Sequence, residues 1–444
     1  MSGLAEVLLT LGYQVTGSDI RENAVTRRLV SLGAKVYLGH AQENLGAADL
    51  VVYSSAISEQ NPEMLAAKGS GRALISRAGM LAELMRLKYG IAVAGTHGKT
   101  TTTSLIAHIL AQAGLDPTYV IGGRIMKSPA NARLGAGSWM VAEADESDAS
   151  FLCLHPLIAV VTNIDRDHLL HYEGDFERLR QAFLHFLSNL PFYGVAVLCL
   201  DCDHVASLLP YVRQAALTYG LSPQADVRAE NIIQEGRTMR FDIVGKNVPN
   251  LRALLNLAGM HNVQNALAAV AVASEIEISG DVILEALESF SGVSRRLEDR
   301  GEFITARGGR CALIDDYAHH PTELAAVLAA LREIYPHRRI LLVFQPHRFS
   351  RTQDLFFDFV KVLSTADVLV LLEVYAAGEA PLAGADGQSL HRAVGAFGAV
   401  SAHFAATLEE AEEMVHDLAR DGDVVLVAGA GSVAQLPGHL MKKE

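Results

Sequence analysis

Along this chain, short apolar runs recur at intervals that leave room for one helix between them. The runs at 89–94, 138–143, 157–162, 194–200, 311–316, 339–345, 368–373 and 424–428 are too apolar to face water on either side. They predict strands buried on both faces of mostly parallel sheets. Between them, 101–113, 175–189, 321–334, 351–363 and 408–418 carry helical periodicity, and 80–88, 259–273 and 280–290 add three further helices. Residues 225–245 alternate loosely and predict an antiparallel hairpin. The first 76 residues read differently. A helix over 1–11 has Leu4, Val7, Leu8 and Leu11 on one face and Gly12 as its stop. Short strands at 14–19, 34–38, 49–53 and 73–76 follow, with helices at 24–32 and 62–68. The expected fold is α/β in three domains. Residues 1–76 form an incomplete Rossmann-like domain, 77–293 a central P-loop ATPase-like domain with a mostly parallel sheet, and 294–444 a second Rossmann-like domain. Gly292, just ahead of Arg295-Arg296, is the expected hinge.

With 444 residues the chain exceeds one core, in line with several domains. A formal charge of −13 argues against nucleic acid or an anionic membrane as main partner. No run of about 18 uncharged apolar residues is present to span a bilayer. The four cysteines are scattered, and Cys199 and Cys202 have no second pair to complete a metal site. A reducing, cytoplasmic compartment is expected.

The richest chemistry follows the run at 89–94. Gly95-Thr96-His97-Gly98-Lys99-Thr100-Thr101 is a glycine turn between a strand and a helix, the arrangement that aims unpaired backbone N–H groups at a phosphate. Lys99 can then reach the β/γ-phosphates of a nucleotide, and Thr100 can hold magnesium. Val93 stands where the longer eight-residue pattern has its first glycine, so this is a short variant. As a surface residue Lys99 should be replaceable by Ala with little loss of stability and complete loss of turnover.

Other strand ends carry acids. Glu143 closes a strand and is followed by Asp145, Glu146 and Asp148; Glu143 is placed to hold magnesium opposite Lys99, and the other three read equally well as a solvated turn. Asn163, Asp165 and His168 follow the next strand and can complete a magnesium site. Asn262 and Asn265 share a helix face and suit either an adenine edge or helix capping. Arg295-Arg296 reads as a phosphate contact or as a solvated basic pair. Asp315-Asp316-Tyr317-Ala318-His319-His320-Pro321 is too polar for a packing segment, and Arg348 and Arg351 can clamp a carboxylate.

Taken together, the motifs at 95–101, Glu-Ala-Asp-Glu-Ser at 143–147 and Thr-Asn-Ile-Asp-Arg-Asp-His at 162–168 resemble the Mur ligases of bacterial cell-wall synthesis. His-Asn-x-x-Asn at 261–265, the 315–321 motif and Gln-Pro-His-Arg-Phe-Ser-Arg-Thr at 345–352 extend the resemblance over nearly the whole chain. It implies an ATP- and Mg2+-dependent ligase. The last three motifs, with Ile-Asp-Arg-Asp-His, narrow it to the member that joins L-alanine to UDP-N-acetylmuramate through an acyl phosphate.

By this resemblance Gly95, Thr96, His97, Gly98, Lys99, Thr100 and Thr101 would cradle ATP. Thr100, Glu143 and His168 would hold magnesium, Asn262 and Asn265 would face adenine, and Arg295 and Asp316 would meet the nucleotide. Tyr317, His347, Arg348 and Arg351 would surround alanine and the acyl phosphate, with Lys99, Glu143, His168, His347 and Arg348 carrying catalysis. Ser18, Asp19, His40, Ser54 and Ser55 would hold the UDP-sugar. A group near His347 or Asp316 would take the amine proton. A monomer or homodimer with no nucleic-acid partner and no stable membrane association is implied. A recycling ligase that attaches a whole peptide is the neighbouring alternative. Relatives place a strand and a glycine-rich turn before the segment that starts at Met1, so weakened UDP-sugar binding in an otherwise nucleotide-competent, catalytically impaired homologue is the other. No lysine lies between Lys127 and Lys246, so the carbamylated lysine that several relatives use is not expected.

Overall fold

The computed structural model describes residues 1–442 apart from 55, 124–130, 246–249 and 399. The chain divides into two compact units. One comprises 1–231, 241–254 and 264–291; the other comprises 232–240, 255–263 and 292–444.

The first unit is organised by a ten-stranded sheet. Its middle runs Val195–Cys199, Ile158–Val161, Tyr89–Ala94, Trp139–Glu143 and Thr118–Val120, all parallel. Ile91, Ala92, Val93 and Ala94 are each 0 % exposed, as a strand covered on both faces requires. Among the described residues, the antiparallel partner on that side is Ala132–Arg133, paired with Thr118–Val120. On the other side Ala215–Gly220 leads to the hairpin Val227–Glu235 and Thr238–Gly245, and Leu251–Leu255 forms the edge. Helix Phe176–Ser188 buries Leu179, Phe183 and Phe186 on one stripe, and these pack with Phe151.

Residues 1–76 hold two separate parallel pairs, Thr16–Asp19 with Lys35–Leu38 and Leu50–Tyr53 with Ala73–Ser76. Neither pair has a fully buried strand, and Leu38 is 74 % exposed. Capping is nevertheless complete on two helices: Asn23 and Asn61 each accept from two backbone N–H groups at a helix start.

The second unit carries a six-stranded sheet ordered Glu298–Ile304, Arg310–Asp316, Val424–Ala428, Ile340–Phe344, Val368–Leu372 and Ser401–Ala405. Among the described residues only Glu298–Ile304 runs antiparallel in it. The apolar runs at 311–316, 339–345, 368–373 and 424–428 form its four inner strands.

Several elements depart from the sequence reading. The helix expected over 351–363 is two helices, Phe349–Asp354 and Phe356–Leu363, broken at Leu355 (φ −111°, ψ 21°). Both edge strands, the helix Gly387–Phe397 and the strand Ala215–Gly220 in the first unit were not anticipated. Glu298–Ile304 is polar, half-exposed and irregular in register between Asp299 and Gly301, so it offers no apolar run to read.

Candidate functional site

In the first unit the site grows from the carboxyl end of Tyr89–Ala94. Gly95 has φ +132°, and a Cβ there would lie 2.1 Å from Thr162 Oγ1; Gly98 has φ +81°, and its Cβ would lie 2.4 Å from Asn265 Oδ1. Both positions therefore need glycine. The helix Lys99–Gln112 begins at Gly98 with no side-chain cap and no acid in its first turn. Its leading N–H groups and positive dipole end are thus left for an anion. Lys99 and Thr100 fall inside this first turn, two residues earlier than the periodicity suggested.

The loop is held from the next strand. Asn163 Oδ1 accepts from His97 N (2.8 Å) while Asn163 Nδ2 donates to His97 O (3.0 Å). Thr162 Oγ1 donates to His97 O at 2.6 Å, and Asp165 N donates to Thr96 Oγ1 at 2.9 Å. Asp165 also lies 3.2 Å from His97 Nε2. Asn163 and Asp165, which the sequence offers to a magnesium site, also brace the glycine loop. Thr102 Oγ1 donates to Asn265 Oδ1 (3.2 Å), so Asn265 packs on the loop and its helix, while Asn262 Nδ2 donates to Ala258 O.

Lys99 does not lie on the surface. Its Nζ donates to Gly95 O at 2.6 Å and sits 2.8 Å from Glu146 Oε2 and 2.9 Å from Oε1. Glu146 is 1 % exposed, which overturns the solvated-turn reading for that residue. The expected small stability cost of Lys99→Ala is overturned with it, because that change strands a buried carboxylate. Burial pulls the Lys99 ammonium down, but Glu146, Asp145 and Glu143 outweigh it and keep its pKa above the usual lysine range. Burial likewise pushes Asp145 up, yet Lys99, the Ser147 N–H and His168 hold it below the usual carboxylate range. Glu143 accepts from Gly122 N at 2.9 Å, and His168 (φ +58°) lies 3.3 Å from Asp167 Oδ2. Three carboxylates thus surround the Lys99 ammonium, and the Arg77 guanidinium, 3.8 Å from Asp145, is a second cation beside them. A triphosphate added there would meet excess negative charge, so the donor set fits a divalent cation bound with it. Two cavities of about 320 and 360 Å³ open at the opposite, amino-terminal ends of these strands, near Tyr89 and Tyr193 and near Trp139 and Glu275. Ligands of open α/β sheets bind at the carboxyl ends, so the loop is the better site.

Among the sugar-binding candidates, Ser18 and His40 come together: Ser18 Oγ lies 2.9 Å from His40 Nδ1 and donates to Glu63 Oε2 at 2.9 Å. Glu63, not singled out from sequence, also accepts from Asn44 Nδ2 and Ala41 N. Asp19 and Ser54 accept from backbone N–H groups two residues on, Arg21 and Ala56. Ser55 lies outside the described residues.

In the second unit the polar motifs follow two neighbouring strands. Asp316 is 2 % exposed; its carboxylate turns inward and accepts from Leu297 N (2.6 Å) and Ala318 N (2.7 Å). Burial pushes its pKa up to about 6 in spite of Arg296 and those N–H groups. Arg295 donates to Asp315 (3.0 Å) and to Gly429 O (2.6 Å), and its guanidinium lies over Tyr317. Tyr317, His319, His347 and Tyr375 form a chain of rings with successive centroids 5.3, 5.9 and 5.5 Å apart. Arg351 is 5 % exposed and donates to His347 O at 3.1 Å. Arg348 has φ +72°, and its Nε is buried with no hydrogen-bond partner among the described residues. An unpaired buried guanidinium nitrogen suits an incoming oxyanion.

A curated relative from Aromatoleum aromaticum, named UDP-N-acetylmuramate--L-alanine ligase, is 56 % identical over 100 % of this chain and 96 % of its own length. The chain belongs to the Mur ligase family. Three Mur ligase models match it in succession: the family's catalytic domain over 1–89, the middle domain over 93–273 and the glutamate ligase domain over 299–431. The three-domain α/β architecture of Mur ligases is therefore that of this chain. Among solved structures, a UDP-N-acetylmuramate-alanine ligase from Thermotoga maritima superposes with a TM-score of 0.83 at 29 % identity, covering 99 % of this chain and 95 % of that one. A murein peptide ligase from Psychrobacter arcticus gives 0.73 at 25 % identity, covering 100 % and 97 %. Among the described residues no helix is long and apolar enough to cross a membrane.

Within this Mur ligase, Glu146 and Asn163 are the residues whose placement sequence reasoning missed. Four acids within six positions look alike as letters. Only the turn through Ala149 (φ +57°) and the Tyr172 hydroxyl, which donates to Glu146 O at 2.6 Å, decide which one faces inward.

Proposed function

We propose that the chain is an ATP-dependent ligase that joins L-alanine to the lactyl carboxylate of UDP-N-acetylmuramate in peptidoglycan precursor synthesis. The observation that carries this reading is the Lys99 ammonium, held charged at the foot of an uncapped helix beside a ring of carboxylates. The likeness to alanine ligases over the full chain supplies the substrates. We keep the boundaries 1–76, 77–293 and 294–444 for the UDP-sugar, ATP and amino-acid domains.

A lactyl carboxylate is a poor acyl donor because oxide would have to leave. One carboxylate oxygen takes the γ-phosphoryl of ATP, and ADP departs. The neutral amine of alanine then attacks the acyl carbon and loses a proton to a group near His347 or Asp316, the carbon–oxygen bond to phosphate breaks, and inorganic phosphate leaves with that oxygen. Gly95 to Gly98 and the N–H groups at 99–101 receive the triphosphate, and Lys99 offsets charge growing on the transferred group. Thr100, Glu143 and His168 are assigned to magnesium, which supplies neutralisation between triphosphate and carboxylate. Asn262 and Asn265 are assigned to the adenine end, with Asn265 also bracing the loop, and Arg295 and Asp316 to the nucleotide. Tyr317, His347, Arg348 and Arg351 receive alanine and the acyl phosphate. Ser18, Asp19, His40, Ser54 and Ser55 are assigned to the UDP-sugar. We assign the enzyme to the cytoplasm, as a monomer or homodimer.

The test is phosphate release from ATP–magnesium and UDP-N-acetylmuramate labelled with oxygen-18 in its carboxylate. Alanine should trigger release, and the label should appear in inorganic phosphate. Release with a tripeptide and none with alanine would favour the recycling reading. Nucleotide binding without any turnover would favour a silent homologue.

A further inference from the structure

We infer that Tyr375, backed by Glu379, is a positioning residue that sets His347 and Arg348 for the alanine half-reaction; the inference rests on the roles just proposed for those two residues. The strands Ile340–Phe344 and Val368–Leu372 run parallel, and their continuations stay locked after regular pairing ends. His347 and Tyr375 form an isolated bridge in which Tyr375 N donates to Pro346 O and Arg348 N donates to Tyr375 O, both at 2.8 Å. Those two bonds flank His347, and the second ends on the N–H of Arg348, whose φ is +72°. A side chain in that region is held there by its surroundings and not by its own preference.

The Tyr375 ring adds a second hold. It stacks on the His347 imidazole, with centroids 5.5 Å apart and planes 12° from parallel. The other side of the segment is fastened by Glu379, whose carboxylate accepts from Ser350 N (3.0 Å) and Ser350 Oγ (2.7 Å) at the first turn of Phe349–Asp354. Arg351, one residue further along that helix, reaches back to His347 O. The segment 373–379 therefore grips the His347–Arg351 motif at three places.

A bland packing role does not account for this arrangement. Tyr375 is 42 % exposed, and its hydroxyl makes no hydrogen bond among the described residues, so neither burial nor the phenol explains it. Space has been kept for the ring: a Cβ on Gly431 would stand 2.7 Å from Tyr375 Cβ and Cγ and 2.5 Å from Gln345 Oε1. What the ring does is fix the plane of an imidazole next to two arginines that must meet a small carboxylate.

The experiment compares Tyr375→Ala and Tyr375→Phe in the full chain, with initial rates at varied alanine, ATP and UDP-N-acetylmuramate. For Tyr375→Ala the alanine KM should rise by about tenfold or more and kcat should fall, while the ATP KM stays within about twofold, because small misplacements of positioning groups are costly. Tyr375→Phe, which keeps the stack, should restore the alanine KM. Gly431→Ala, which pushes on the ring, should reproduce the Tyr375→Ala pattern. Equal rises in both KM values, or an unchanged alanine KM, would overturn the inference. If Tyr375→Ala loses its thermal transition, Tyr375→Leu keeps the bulk without the stack and decides the matter by the same KM split. A wild-type enzyme that never responds to alanine would instead sink the proposed function.

Discussion

Two buried strands, one in each unit, end in clustered carboxylates, and the two ends neutralise charge in opposite ways. After Trp139–Glu143, the acids Glu143, Asp145 and Glu146 gather around the Lys99 ammonium, with Arg77 also reaching Asp145, while the adjoining helix leaves its first N–H groups uncapped. After Arg310–Asp316, the chain satisfies its own acids: Arg295 takes Asp315, and the N–H groups of Leu297 and Ala318 take Asp316. The first end is built to admit outside charge. At the second, closed end the acids are met from within the chain, and the buried guanidinium nitrogen with no partner among the described residues lies one motif later, at Arg348. Acids at both ends take backbone N–H groups, so what marks the first as a ligand site is the uncapped helix start and the lysine beside it.

The contrast is sharpest for Lys99→Ala. Turnover should drop by about a thousandfold or more, and stability by about 3–5 kcal/mol, because Glu146 is left charged and buried. Lys99→Ala with Glu146→Gln should recover most of that stability and none of the turnover. Recovery of neither, or of both, in combined denaturation and rate measurements would mean that the pair is not what charges this end.

A smaller effect is expected at Gly98. Gly98→Ala places a Cβ against Asn265 Oδ1 at positive φ, which should raise the ATP KM and cost about 1–3 kcal/mol. Asn265→Gly in the same chain should relieve the steric part of the loss. An ATP KM in Gly98→Ala equal to that of the wild type would show that the loop has slack.

The smallest effect concerns the closed end. The Asp316 pKa of about 6 lies above its ordinary 3.8, so folding takes up a proton at this site between those values. Its stabilising contribution is complete below the unfolded pKa and is lost as pH rises through about 6. Calorimetry should show the Tm of the wild type falling more between pH 5 and pH 7 than that of Asp316→Asn. Parallel pH profiles for the two proteins would place the titration elsewhere.

Much of this architecture was legible in the sequence because parallel strands announce themselves. Ile340–Phe344 and Val424–Ala428 contain no polar residue, and the glycines at 95 and 98 bracket a turn between a strand and a helix. The edge strands Glu298–Ile304 and Ser401–Ala405 were hidden because half-exposed strands at a sheet margin look like loops. Site composition was legible as well, but not the pairing within it. That Asn163 grips His97, that Glu146 takes Lys99, and that Asp316 faces inward are all decided by backbone geometry between residues distant in sequence.

The contact between Gly98 and Asn265 has a consequence for the order of events during synthesis. The loop emerges from the ribosome some 160 residues before the helix that sets its width. A nascent chain stopped at 254 would hold every glycine and lysine of the cradle, yet lack the side chain against which the loop is fitted. The fit of Gly98 against Asn265 is therefore completed late, by a partner translated long after the loop it meets.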